Sequence, residues 1–486
     1  MTQKHISGAE ITPTRVVIVT MDTHLASATA RARAVLAREI PGLSLKVHAA
    51  SEYAADPAAL ERCLADIATG DIIIASMLFM EDHLLPVLPA LAARRDQCDA
   101  MVCAMSASEV MKMTRIGKFK MDGTASGPMA LLKRLRGNTK KPGNGTAGEA
   151  QMKMLRRIPK MLRFIPGTAQ DVRAYFLTLQ YWLGGSEDNI GNMIRLLVDR
   201  YADGARRHLR GTLKVAAPVE YPETGVYHPR MEGRISEHAK ALPLPTVKSP
   251  TNGTVGILMM RSYMLAGNTD HYDGVIDAME ARGLKVIPAF ATGLDSRPAI
   301  EKFFIKDGRV IVDAVVSLTG FSLVGGPAYN DSKAAEEVLA RLDVPYIAAH
   351  PVEFQTLETW GASERGLMPV ENTIMVAIPE LDGATAPTIF GGRSDAAGGA
   401  CTGCHRNCTF NANDTGRDMH RCVERAEMIA ARIEKLIALR RAEHANRKVA
   451  IVLFNFPPNA GNTGTAAYLA VFESLFNTLT TMKAEG

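Results

Sequence analysis

The sequence predicts a multi-domain α/β protein in which open parallel sheets are flanked by helices, with a helical segment between them. Three observations carry this. The 486 residues are enough for about three domains at roughly 150 residues each. β-branched runs recur, each followed by a Gly-, Asn- or Thr-rich turn and then by helical periodicity, the pattern of parallel βα units. A proline-rich stretch separates two such regions.

In the first region, 15–20 reads as a strand, 23–39 as an amphipathic helix, 71–78 as a buried strand and 83–95 as a second helix. The basic segment belongs with it, so the first domain is placed at 1–136. Residues 137–150 are polar and Gly-rich and read as a loop. A helical region is expected over 151–216, with helices at 171–183 and 189–209. The stretch 217–250 holds six prolines, which remove backbone donors, so it reads as extended chain crossing between domains. The second α/β domain is placed at 251–395, with strands at 254–260, 284–290, 310–318 and 344–349 and helices near 272–282 and 332–342. A cysteine-rich loop is expected at 396–424. The last part, 425–486, reads as the start of a further domain, with a strand at 448–456 and a helix from about 465.

Composition narrows the class. The longest near-continuous apolar run, 72–80, falls far short of the roughly 20 residues of a membrane span. Residues 1–15 lack an apolar core followed by a small-residue cleavage site, so a cytoplasmic location is expected. Seven cysteines, an odd number over a long chain, do not make a disulfide framework and read as buried thiols or metal ligands. The net charge of +5 is unevenly spread, because 14 of the Lys and Arg residues fall within 111–163 against only Asp122 and Glu149. Such an excess attracts anions. It lacks interleaved aromatics and groove-reading motifs, so nucleic acid is not the expected partner. Nine methionines interleave with these cations between 101 and 161; flexible thioethers beside positive charge suit a flat apolar ligand with peripheral carboxylates, although core filling is the commoner use.

Ligands of open parallel sheets sit beyond the carboxyl ends of the strands. If the four strands of the second unit are parallel, the loops starting at Arg261, Gly267, Ala291, Thr319 and His350 share one rim. Arg261, Asn268, Thr319 and Gly320 are then candidate substrate contacts, with Lys112, Arg115 and Lys118 from the basic segment. His271, His350 and Glu353 are candidate proton carriers. The competing reading is that the glycines only shape turns and the histidines satisfy local hydrogen bonds. The turn 457–465, which includes Asn459, joins a strand to a helix but lacks the Lys-Ser/Thr ending of an ATP cradle. The sharpest local signal is Cys401-Thr-Gly-Cys404-His-Arg-Asn-Cys408 with Cys422. Four thiols this close suit an iron–sulfur cluster or zinc, although the second gap departs from a ferredoxin run; free thiols or a redox-sensitive pair are the alternatives.

Several longer strings carry a resemblance. Met-Lys-Met-Thr-Arg-Ile-Gly-Lys-Phe from Met111, Tyr-Trp-Leu-Gly-Gly-Ser-Glu-Asp-Asn from Tyr181 and Tyr-His-Pro from Tyr227 resemble the large H-type component of magnesium chelatase. Arg-Ser-Tyr-Met-Leu-Ala-Gly-Asn from Arg261, Ser-Leu-Thr-Gly-Phe-Ser-Leu-Val-Gly-Gly-Pro-Ala-Tyr from Ser317 and Phe-Pro-Pro-Asn from Phe456, with Gly-Thr-Ala-Ala-Tyr from Gly464, are similar to the same family and, more distantly, to the large cobaltochelatase subunit. The cysteine loop and the early basic segment favour the bacteriochlorophyll branch.

The resemblance implies a subunit that binds protoporphyrin IX for insertion of Mg2+, while AAA+ ATPase subunits of the I and D type use ATP. It further implies contact with the downstream methyltransferase and a place at the edge of the photosynthetic membrane. Family members run far past the position of Gly486, so this chain is expected to match their N-terminal part, with much of the porphyrin enclosure beyond it. Ala460 stands where the family has a basic residue. The alternatives are a non-catalytic tetrapyrrole carrier or redox sensor, or a cobaltochelatase subunit that inserts Co2+ into a corrin precursor.

Overall fold

The computed structural model describes residues 12–21, 24–53, 56–121, 157–244, 252–326, 329–394, 399–410, 418–455, 464 and 469–486. The first sheet is built from β1 (Thr14–Thr20), β2 (Leu43–Ala49), β3 (Ile72–Ser76), β4 (Ala100–Ala104), β5 (Arg115–Ile116) and β6 (Phe119–Lys120), in the order β2-β1-β3-β4-β5-β6. The first four are parallel and the last two form an antiparallel edge. A parallel strand covered on both faces needs apolar side chains at successive positions, and β1 supplies them: Val16 and Ile18 enter one core, Val17 and Val19 the other. Helix α1 (Ala26–Glu39) covers the first face, and α2 (Pro57–Thr69) the second. The start of α2 is marked by Asp56, whose carboxylate accepts the Ala58 N–H at 3.0 Å, and by Pro57 at the first helical position.

The helical region packs onto the α1 face of this sheet. Helices α3 (Thr168–Gly184) and α4 (Glu187–Tyr201) contribute Tyr175, Tyr181, Trp182, Ile190, Met193 and Leu197 to the same core as Val16 and Ile18. The Gly-Gly-Ser-Glu-Asp-Asn string is the corner between them. Gly185 takes a left-handed conformation (φ +54°) that ends α3, and Ser186 caps α4 by accepting the Asn189 N–H at 3.3 Å.

The second sheet has eight strands: β7 (Thr224–Tyr227), β8 (Ile235–Ser236), β9 (Gly253–Leu258), β10 (Leu284–Ala291), β11 (Ala314–Ser317), β12 (Tyr346–Thr356), β13 (Thr385–Arg393) and β14 (Met419–Arg421). Their order is β14-β13-β12-β11-β9-β10-β7-β8. The inner five are parallel and the outer three antiparallel. Helices α5 (Asp270–Ala281) and α6 (Val423–Arg441) cover one face; α6 does so through a stripe of Ala426, Ile429, Ala430, Ile433 and Ile437 at helical spacing. The helices Arg297–Phe303 and Ser332–Leu342 cover the other face.

Two segments differ from expectation. The proline-rich stretch contributes β7 and β8 to the sheet edge, where Pro222 and Pro229 flank β7 and cost no ladder hydrogen bond. Tyr227 and His228 then pin α5: the Tyr227 hydroxyl donates to Asp273 at 2.7 Å, and His228 and Arg230 both reach Glu280 two turns along. By contrast, 448–454 forms no ladder among the described residues, and Val452 and Phe454 are 90% and 70% exposed. A run apolar at nearly every position is a strand for the middle of a sheet, and no neighbouring strand is described there. Helix α7 (Val471–Glu485) buries none of its residues.

Candidate functional site

The carboxyl edges of the two parallel sheets face each other. From the first sheet come His24, beyond β1, and Glu52, beyond β2; from the second come Tyr263 beyond β9, the distal half of β12, and Arg393 at the end of β13. The His24 and Tyr263 rings are 6.3 Å apart, edge to face, and Arg393 Nη2 is 3.8 Å from Glu52 Oε1 with both side chains mostly buried. Arg31 of α1 reaches the second unit and donates to the Ala266 carbonyl at 2.6 Å. Because β9, β10, β11 and β12 are parallel, the segments starting at Arg261, Gly267, Ala291 and Thr319 follow strands on the same edge, whereas the expected loop from His350 is a continuation of β12 itself, which runs on to Thr356.

Glu353 lies at the centre of the contact. Its carboxylate accepts from the Tyr263 hydroxyl at 2.9 Å, and its carbonyl accepts from Arg393 Nη1 at 3.1 Å. Beneath it is Glu371, fully buried, a residue that sequence reasoning missed. One of its oxygens accepts the backbone N–H groups of Glu353 and Phe354 (3.2 and 3.0 Å), and the other accepts Gln355 Nε2 at 2.7 Å and the Met368 N–H at 3.4 Å. A carboxylate can be buried only with such donors, so Glu371 fixes the backbone on which Glu353 is presented. The only sequence signal was a Pro-Val-Glu string at 369–371 with no pattern of its own.

The other expected proton carriers sit in apolar surroundings. His271 is fully buried, 3.9 Å from the Tyr272 ring and stacked at 5.7 Å on Phe390, with neither ring nitrogen hydrogen-bonded. Burial, helped by the nearby His420, pushes its pKa down to about 3. His350, within β12, is 2% exposed and is pushed by burial down to about 4. Both rings are therefore neutral at physiological pH. Thr319 accepts the Phe321 N–H at 3.3 Å, and Gly320 turns the chain at φ +71°, where an added Cβ would meet Pro351 at 3.4 Å. The hollow between the ends of β9, β10 and β11, reached by Met260, Gly293 and Thr319, measures about 10 Å3, scarcely room for one water.

The expected anion partners do not converge. Arg261 donates to the carbonyls of Pro222 (2.8 Å) and Tyr221 (3.1 Å), tying β9 to the proline-rich stretch. Arg115 donates to the carbonyls of Arg95, at 2.6 Å, and Cys98. Ile116 pairs with Ala100, the first residue of β4, so Lys118 lies beyond the amino edge of the sheet, whereas Lys112 follows the helix that leaves its carboxyl edge. Asn268 is buried; its Oδ1 accepts the Met419 N–H at 2.9 Å. Asn459 lies outside the described residues, as do 122–156, which hold much of the basic segment and all of the 137–150 loop.

The four thiols occupy one neighbourhood. Cys401 is buried, Cys408 and Cys422 are half-buried and Cys404 is exposed, and the Cys401 N–H donates to the Cys408 carbonyl at 2.7 Å. Burial raises the thiol pKa of Cys401 to about 11 and that of Cys422 in the same direction. A metal needs thiolates aimed at one point; among the described residues no three His, Cys, Asp or Glu side chains are so arranged. The donor set as placed does not fit a cluster or zinc.

Residues 179–486 match the family described as CobN/Magnesium Chelatase, and residues 15–176 match a domain of unknown function, DUF3479. The chain is 52% identical over 483 residues to the H-type magnesium-chelatase protein of Cereibacter sphaeroides, covering 99% of this chain and 40% of the relative. This chain belongs to the CobN/magnesium chelatase family. The corresponding H-type protein of Rhodobacter capsulatus is 53% identical over 97% of this chain and 38% of its own length. The CobN component of aerobic cobaltochelatase from a Sinorhizobium species is 27% identical over 48% of this chain. The chain thus spans about two-fifths of the length of these two bacterial H-type proteins. In fold, it is similar to the catalytic subunit of cobaltochelatase from Mycobacterium tuberculosis, with a TM-score of 0.51, 17% identity and coverage of 98% of this chain and 31% of that one. Among the described residues, no helix is long and apolar enough to cross a membrane.

Proposed function

We propose that this chain forms the amino-terminal portion of a magnesium-chelatase porphyrin subunit and takes part in docking protoporphyrin IX for ATP-dependent insertion of Mg2+. The observation that carries this reading is the 52% identity to an H-type magnesium-chelatase protein over 99% of the chain, against 27% over less than half of it for the cobalt enzyme. Insertion removes two pyrrole N–H protons and strips water from a tightly hydrated ion. On this reading AAA+ subunits of the I and D type use ATP, the downstream methyltransferase receives the product, and the work takes place in the cytoplasm at the photosynthetic membrane edge. This chain's contribution is the pair of facing sheet edges. There Glu353, held by Tyr263 and backed by Glu371, is the group best placed to keep or pass a proton, while His271 and His350 stay neutral and shape the wall. An iron–sulfur cluster or zinc at Cys401, Cys404, Cys408 and Cys422 would require the thiols to move from their present positions.

The test is reconstitution. The chain is mixed with the I-type and D-type ATPase partners, ATP, Mg2+ and protoporphyrin IX, and the fluorescence of the Mg-porphyrin is followed beside quenching of the free pigment. Pigment binding is expected. Product would make the chain competent with its partners; binding without product would favour the carrier reading. Absence of binding by folded protein would overturn both.

A further inference from the structure

Two of the four clustered thiols are opposed across a short hairpin. Ala400 and Thr409 form an antiparallel bridge, and one step further in the Cys401 N–H donates to the Cys408 carbonyl at 2.7 Å. Cys401 and Cys408 are therefore directly opposite each other on two antiparallel segments, with their side chains on one face. Opposed residues of a hydrogen-bonded pair have Cα atoms about 5.5 Å apart, inside the roughly 4.4–6.8 Å that a disulfide spans. Asn407, next to Cys408, turns the chain at φ +50°, a conformation that asparagine tolerates. Both sulfurs join one small apolar cluster, Cys401 buried and Cys408 half-buried.

The hairpin tip rests on the helix Leu357–Ala362, which directly continues β12. A Cβ at Gly403 would collide with the Leu357 backbone, and one at Gly361 would collide with the Gly403 backbone, so the two segments touch main chain to main chain. The same helix carries Glu358. Its carboxylate accepts the Cys401 thiol and, at 2.6 Å, the Ser394 hydroxyl. A base thus stands beside the buried sulfur. Burial keeps Cys401 protonated at neutral pH, its pKa raised to about 11, so Cys408 is the sulfur that an oxidant meets first.

We propose that Cys401 and Cys408 form a reversible disulfide when the chain meets a peroxide, closing the hairpin that props the helix after β12. In the first step Cys408 sulfur attacks hydrogen peroxide: the O–O bond breaks, an S–O bond forms and one water leaves, so sulfur loses two electrons and peroxide gains them. Cys401 sulfur then attacks the sulfenic sulfur of Cys408. The S–S bond forms as the S–O bond breaks, and the Cys401 proton passes through Glu358 to the departing hydroxide, which leaves as a second water. A dithiol reverses the bond by exchange. This chemistry needs no pigment and is independent of the function proposed above.

The full chain, reduced and freed of metal with a chelator, is treated with hydrogen peroxide. Remaining thiols are blocked with N-ethylmaleimide, and tryptic peptides are read by mass spectrometry. Trypsin cuts between the two cysteines after Arg406, so the expected bond appears as the peptide holding Cys401 cross-linked to the peptide holding Cys408, and dithiothreitol separates them. Fragment ions of the wild type are expected to place the bond at Cys401 and not at Cys404, an assignment that needs no variant. Cys404→Ser should keep the cross-link and Cys401→Ser should lose it, with circular dichroism checking that both are folded. A bond at Cys404, a bond joining Cys408 to Cys422, or a cross-link that survives Cys401→Ser would overturn the pair. Recovery of Cys401 and Cys408 as maleimide adducts or as sulfinic acids after peroxide would overturn it as well.

Discussion

His271 shows how burial changes what a side chain does. Its pKa is pushed from an ordinary 6.5 down to about 3 by the aromatic wall around it. Above about pH 6.5 folded and unfolded states both hold the ring neutral. Below that, the unfolded chain takes up a proton that the folded one refuses, so stability declines as pH falls toward 3. Replacing His271 with Phe should flatten urea-unfolding free energies between pH 6 and 4 by about 1 kcal/mol per pH unit, while His350 and His83, whose pKa values burial also lowers, keep contributing slope of the same sign. An unchanged slope would show that the ring is hydrated. The residue types at the site were legible because histidine, glutamate and arginine stand out in loops after strands. Their fates were not. Arg261 reads as an anion partner until the carbonyls of Tyr221 and Pro222 are found against it, and Glu371 gives no sign that it is fully buried beneath Glu353.

At the scale of elements, β9 depends on a glycine whose role is purely steric. A Cβ on Gly256 would lie 2.6 Å from two carbons of the Phe304 ring, which is itself fully buried and has nowhere to move. Gly256→Ala should therefore cost about 2–3 kcal/mol of stability through overpacking. Phe304→Leu in the same chain should recover part of that loss, so the double variant is more stable than the sum of the two single effects predicts. Chemical denaturation of the four proteins measures the coupling; strict additivity would refute the contact. Strands and helices with strong periodicity were readable: 15–20, 284–290 and 332–342 all lie where residue pattern put them. The edge strands β7 and β8 were hidden by prolines, because proline forbids only donation to a ladder and an edge can do without it.

At the scale of the whole molecule, two α/β units present their carboxyl edges to each other, and among the described residues near the carboxyl terminus helix α7 stands apart from both. Val452 and Phe454 are largely exposed and α7 has no buried residue. Ending the chain after Ala470 should shift the melting temperature by no more than about 2 °C, because α7 contributes no buried residue. A fall of more than about 5 °C in a calorimetric scan would show that this segment packs on the body. The packing of α3 and α4 beside α1 on one face of the first sheet also belongs to this scale; the sequence placed those helices between domains without saying on which face they rest.

The amino-acid sequence alone determined the α/β class, most strands and helices, the rim on which loops gather and, through its longer strings, the family. These follow from local periodicity and turn chemistry, which neighbouring residues in the chain decide among themselves. Only the tertiary structure decided that the two rims oppose each other, that His271 and His350 are dry and that Lys112 and Lys118 fall at opposite edges of the first sheet. Burial and hydrogen-bond partners depend on side chains far away along the chain, and no local pattern specifies which of those will arrive.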